Sequence, residues 1–232
     1  MNVDDLISIC DRRRVRVTYT AHLPAVAFLF HHCIPYFVKR NRDIHFLVYS
    51  ESIARKLKVE YQAFFEDMSD FKREIKDALD EAEIIKVGTN DKVPFGKLHY
   101  LVHIKDPKDT IDNLIPVLKK LDENDVLIIY GLYLIPVIYG FEGIWEILRL
   151  FESLKEDLTL VSFVPLEAYP TTSIHGLFRE IYDIVINICR EKDYVAFGEE
   201  IYLLGLEQSY TPKMPPGYIR VRVSPELKLV MV

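Results

Sequence analysis

Hydrophobic and polar positions follow two periods along this chain. Val15, Val17 and Tyr19 alternate with Arg16 and Thr18, the two-residue repeat of a strand packed against a core. A connection over residues 20–24 follows, and Ala25-Val26-Ala27-Phe28-Leu29-Phe30 opens an apolar helix reaching Val38. Ile44 to Val48 form a second strand, which ends at Ser50-Glu51-Ser52, where either serine can cap a helix. Ile53, Leu57, Tyr61, Phe64, Phe65 and Met68 then recur at spacings of three and four. After a second cap at Ser69, so do Phe71, Ile75, Leu79 and Ala82. The pattern predicts a helix pair covering one face of a sheet.

Residues 83–87 and 97–104 predict two more strands, the second with Leu98, Tyr100, Val102 and Ile104 on one face. A helix is expected over 112–121, with Pro116 in its first turn, where a missing N–H costs nothing. Residues 125–131 are continuously apolar, as in a strand covered on both faces. An apolar connection over 132–143 leads to a helix bearing Ile144, Ile147, Leu148, Phe151 and Leu154. A strand over 158–164, a loop over 165–176, a short helix over 177–181 and a strand over 182–189 follow. Strands over 200–206, 218–223 and 227–232 close the chain with no helix between them. The sum is an α/β fold: a mostly parallel central sheet with helices on both faces and an antiparallel carboxyl-terminal extension. One domain over 1–232 is expected, with 1–14 as lead-in and 199–232 as the antiparallel tail.

Composition narrows the class. Half of the 232 residues are hydrophobic, including 13 Phe and 14 Tyr, which excludes global disorder. Two Gln against 28% charged residues is a balance found in thermophile proteins. The net charge of −6 is uneven: residues 1–60 hold ten Lys/Arg against six Asp/Glu, with Arg12, Arg13, Arg14, Arg16, Lys39, Arg40 and Arg42 among them. Such an end can meet phosphates, but the acidic remainder argues against a dedicated nucleic-acid binder. Cys10, Cys33 and Cys189 form no Cys-x-x-Cys pair and fit a reduced, cytoplasmic protein. The apolar run 23–38 is sixteen residues long and carries His31, His32, Pro24 and Pro35, short of the ~20 a membrane span needs. Asp4 and Asp5, with no small-residue cleavage site behind them, argue against a secretory signal.

The order of elements, with four local sequences, resembles the RecA-like ATPases, particularly their KaiC-type branch, and an archaeal family of similar length. The strand–turn–helix over 15–38 stands where that family keeps its phosphate loop. Phe46-Leu47-Val48-Tyr49-Ser50-Glu51-Ser52 looks like its strand ending in a catalytic glutamate, with Glu51 at the matching position. Val126-Leu127-Ile128-Ile129-Tyr130-Gly131-Leu132 looks like its strand ending in a magnesium-directing aspartate. Residues 158–164 and Tyr182-Asp183-Ile184-Val185-Ile186 look like its later strands. Yet the loop slot reads Tyr19-Thr20-Ala21-His22-Leu23-Pro24, with no glycine before Gly88 and no lysine before Lys39. A triphosphate needs close backbone N–H groups and a cation, and Tyr130 cannot replace a carboxylate on magnesium. ATPase activity is therefore not expected, and no cofactor is.

Other chemistry is sparse. On a strand His99 and His103 lie ~13 Å apart, too far for one zinc with bonds of about 2 Å, so no metal is expected. His31 and His32, adjacent on a helix, are expected to point apart, one structural and one exposed. The loop 165–176 gathers Tyr169, Thr171, Thr172, Ser173 and His175, either capping the next helix or lying where RecA-like proteins grip a polymer. Tyr133, Tyr139, Phe141 and Trp145 make the connection after 125–131 unusually apolar, as an interface or a fold-back over the core. Leu229 and Met231 mark a candidate sheet edge. The leading reading is a catalytically inactive RecA/KaiC-like domain that binds a protein or its own copies, a homo-oligomer included. Two alternatives stay open: a recombinase-type nucleic-acid binder, and an enzyme reusing the cleft near Glu51, His22 and His175.

Overall fold

A computed structural model describes residues 2–66, 69–168, 172–196, 199–210 and 214–232. Its strands are β1 (Arg14–Tyr19), β2 (Asp43–Tyr49), β3 (Glu83–Gly88), β4 (Lys97–His103), β5 (Asp125–Tyr130), β6 (Thr159–Pro165), β7 (Ile184–Ala196), β8 (Glu199–Ser209), β9 (Gly217–Val223) and β10 (Leu229–Met231). They form one sheet in the order β10-β9-β8-β7-β1-β6-β5-β2-β3-β4. From β7 to β4 every pairing is parallel, and β7 to β10 pair antiparallel, matching the expected sheet and tail.

Parallel strands need crossovers, and the helices that make them cover both faces. On one face lie α1 (Val3–Ser8), α2 (His22–Ala27), α3 (Ile34–Val38), α4 (Glu51–Phe64) and α5 (Asp70–Glu81). On the other lie α6 (Pro107–Leu118), α7 (Leu134–Ser153) and α8 (Thr172–Arg179). The apolar run of β5 is explained at once: Val126, Ile128 and Tyr130 pack into the first core, Leu127 and Ile129 into the second. Ser50 and Ser69 cap α4 and α5 as expected, accepting from Ile53 N and Lys72 N. Phe30, Phe64 and Phe65 tie α4 to the helix after β1, with Phe30 and Phe64 stacked at 5.0 Å.

Several expectations need correction. The helix after β1 starts at His22, three residues early, because Pro24 lacks only an N–H that its first turn leaves unbonded. Its middle, Phe28–Cys33, is a π-helical segment between α2 and α3. α6 starts at Pro107, capped by Asp106 Oδ1, which accepts from Asp109 N at 2.8 Å; Pro116 sits near its end instead of in its first turn. Residues 134–143, expected as a connection, belong to α7. α8 takes up part of the expected loop, starting at Thr172 and ending at Arg179. β4 is an edge strand, so Leu98 and Tyr100 are exposed and only Val102 is buried. β10 is the other edge. No helix among the described residues is long and apolar enough to cross a membrane.

Candidate functional site

In an open parallel sheet the carboxyl ends of the strands face the crevice where ligands bind. β1 and β5, separated by β6, both end there. β1 stops at Tyr19, and only Thr20 and Ala21 separate it from α2. Thr20 N donates to Ile188 O at 3.0 Å, so the short connection is pinned to β7. His22, the first residue of α2, lies 5.8 Å from the Tyr19 ring and bonds through Nε2 to Glu60 Oε1 of α4. At the end of β5 the Tyr130 ring stacks on Phe163 of β6, at 4.8 Å and 11°.

These side chains fill the crevice. What remains is a cavity of about 10 Å³, lined by Tyr19, His22, Glu60, Tyr130 and Tyr133 among others. A water needs roughly 10–15 Å³, so the space fits one water and no larger ligand. His22 Nδ1 and Glu60 Oε2 are buried here without a hydrogen-bond partner in the protein. Burial raises the phenols of Tyr19, Tyr130 and Tyr133 above their ordinary value, which keeps them neutral.

Glu51 is held elsewhere. It follows Ser50, whose φ of 84° and ψ of 154° lie where non-glycine residues are strained. Its carboxylate accepts from Lys86 Nζ at 2.7 Å, Thr89 N at 2.7 Å and Asn90 N at 3.2 Å. Lys86 is 0% exposed and also donates to Asn90 Oδ1 (2.9 Å) and Lys92 O (2.7 Å), matching its three donors. Desolvation opposes the Glu51 anion, but the bonds from Lys86, Thr89 and Asn90 outweigh it and hold the carboxyl at about 2. The arrangement fastens the loop after β3 to the start of α4.

The aromatic candidates divide. Tyr133 joins His22 at the filled crevice. Tyr139 Oη donates to Lys105 O at 3.1 Å. Phe141 and Trp145 are 79% and 66% exposed, and with Val137 and Ile138 they form an outer apolar ridge on α7. Gly140, at φ 59° and ψ −129°, kinks the helix between the two pairs. Met68, Tyr169, Thr171 and the side chains of Thr172, Ser173 and His175 lie outside the described residues. Glu51 and His22 share no bonding partner. Among the described residues no three His, Cys, Asp or Glu could hold a metal ion.

Three of the basic amino-terminal residues are paired or buried, although Arg12 N and Arg42 both donate to the Thr159 hydroxyl. Arg12 pairs with Glu123 at 3.3 Å and Arg42 with Asp11 at 2.8 Å, while Arg16 is buried beside Ser162 and Tyr182. Sequence reasoning missed Lys86 and Glu60. A lone lysine inside the apolar run of β3 was the available signal for the first. Glu60 falls three residues after Leu57, beside the buried stripe of α4, which was the signal for the second.

No family model matches the chain, and no curated protein matches it. Among solved structures it is similar to a KaiC-like protein of Pyrococcus horikoshii, with TM-score 0.64, 13% identity, and 96% of this chain and 90% of that one covered. It is also similar to the flagellar accessory protein FlaH of Methanocaldococcus jannaschii (TM-score 0.56, 13% identity, 100% and 96% covered). A further solved ATPase domain is similar too (TM-score 0.53, 14% identity, 96% and 86% covered). The fold is RecA-like. Within the RecA-like frame, Tyr19 to Pro24 and Tyr130 stand at the ends of β1 and β5, and their side chains take up the space between them.

Proposed function

We propose that this RecA-like chain carries no nucleotide chemistry and works by binding another protein or its own copies. The observation behind this reading is the filled crevice: Tyr130 stacks on Phe163, the His22–Glu60 pair closes the other wall, and about 10 Å³ remains. The ridge of Val137, Ile138, Phe141 and Trp145 is the surface offered for contact, since clustered exposed aromatics mark interaction sites. Arg12 and Arg42 are paired with acids and Arg16 is buried, which gives the nucleic-acid reading little support.

Calorimetric titration with ATP and magnesium is expected to show no heat, and the melting temperature is expected to stay put. Micromolar ATP affinity would refute the reading. On the contact side, Trp145→Glu is expected to abolish self-association or partner capture seen by light scattering, with the far-UV spectrum unchanged. Association that is indifferent to Trp145→Glu and Phe141→Glu would move the contact elsewhere.

A further inference from the structure

A second and much larger cavity lies away from the crevice. It measures about 560 Å³, within the range of roughly 300–1,000 Å³ usual for small-molecule sites. The π-helical segment supplies one wall of it, through His31 and His32. An i→i+5 turn spreads each residue over a smaller rotation than an α-helix does, so adjacent side chains can face one space, and such segments recur at functional sites. His31 and His32 both line the cavity, their rings 6.5 Å apart, at 9% and 8% exposure. The expectation that one would be exposed is thus corrected.

Both imidazoles keep a ring nitrogen without a hydrogen-bond partner. His31 Nε2 donates to Glu226 O at 2.6 Å, which leaves its lone pair on Nδ1, buried and without a partner. His32 Nδ1 lies 3.6 Å from Asp4 Oδ1, and its Nε2 is likewise buried without a partner. Around them stand Lys39 and Arg40 after α3 and Lys228 before β10, none in an ion pair among the described residues. Two acids also line it: Asp5 caps α1 by accepting from Asn2 N, and Asp4, its carboxylate largely exposed, lies 3.6 Å from His32. Phe71 of α5 stacks parallel on His31 at 5.6 Å, and Tyr36 lies under Arg40, so flat apolar walls adjoin the cations.

We infer that this cavity binds a small anion, a phosphate or carboxylate on a flat organic group, with Lys39, Arg40 and Lys228 on its oxygens and its ring beside Phe71. The lone pairs of His31 and His32 repel a bare anion, so binding brings one proton, on an imidazole or on the phosphate itself. Free His32 is pushed down to about 4 by burial against the pull of Asp4, and His31 is lowered by burial and by Lys72 and Lys228. The charged groups around the pair are therefore Asp4 and Asp5 (α1), Lys39 and Arg40 (after α3), Lys72 (α5), and Glu226 and Lys228 before β10. The cavity is separate from the crevice. ATP, which also carries phosphate and a flat base, is assigned to it only if Lys39→Ala with Lys228→Ala removes the binding; ATP binding that this pair leaves unchanged belongs to the crevice.

The test uses phenyl phosphate and benzoate as probes, inorganic phosphate as the bare-anion control, and imidazole proton–nitrogen NMR on the whole chain. Saturable shifts of the His31 and His32 signals are expected, with affinity rising by up to about tenfold per pH unit as pH falls from 8 to 6. Lys39→Ala with Lys228→Ala, both exposed positions, is expected to weaken the better probe at least fivefold without moving the melting temperature. Preference between the probes assigns phosphate or carboxylate as the head group. Silence of both imidazoles at about 10 mM of either probe, or binding unchanged by the lysine pair, overturns the inference.

Discussion

An ammonium with no exposed surface survives only when its donors are matched, and Lys86 has Glu51, Asn90 and the Lys92 carbonyl for its three. Glu51→Gln removes the one charge of opposite sign and is expected to cost about 1–3 kcal/mol in denaturant unfolding, less than breaking a wholly buried pair because the Glu51 side chain is 37% exposed. Adding Lys86→Met to that variant is expected to recover most of the loss, a coupling that a double-mutant cycle measures. His32 gives a second test. Its folded pKa, about 4, lies below the ordinary 6.5, so the unfolded chain binds the proton first and stability falls as pH drops from 6.5 towards 4. The share from His32 should reach about 3 kcal/mol and disappear in His32→Gln, leaving the share of His31, which burial also lowers, as melting curves across that range would record. Lys86 was legible in the sequence as a charge inside an apolar strand. His31 and His32 were not, because a reading at ~100° per residue separates neighbours that a π-turn brings to one wall.

At the scale of elements, alternation located the buried strands well, because β1, β5 and β6 each have a parallel neighbour on both sides and no solvent face. It misled at β4, where the same alternation sits on an uncovered edge. Helix starts were harder. Pro24, Pro107 and Pro136 all lie in first turns, where proline is harmless, and each reads as a break when helix phase is unknown. α7 was the largest miss, since apolar residues all round and two glycines look like a connection. Its kink rests on Gly140, whose backbone angles other residues rarely adopt. Gly140→Ala is expected to destabilise by ~1–3 kcal/mol although nothing crowds the position. It should also re-aim Phe141 and Trp145, which a matched measurement of self-association would detect.

For the whole molecule, the alternation of strands and helices followed by strands alone was enough to foresee the architecture. The filling of the crevice was legible only in part. The missing glycines and lysine and the tyrosine at position 130 were visible in one dimension, whereas Glu60 reaches His22 across 38 residues of chain. The strand order carries one further consequence, for how the chain acquires its shape. β1 emerges before every other strand, yet both its neighbours, β6 and β7, come late; Thr18 Oγ1 donates to the carbonyl of Ile186, 168 residues further on. The apolar centre of the sheet must therefore wait unpaired while most of the chain is made. Such long-range closure is slow, and stopped-flow refolding is expected to end in a step on the order of seconds. Val17→Ala should slow that step, whereas a change confined to the unfolding rate would place the docking of β1 after the barrier. Until that closure, β1 is the segment with most need of a chaperone.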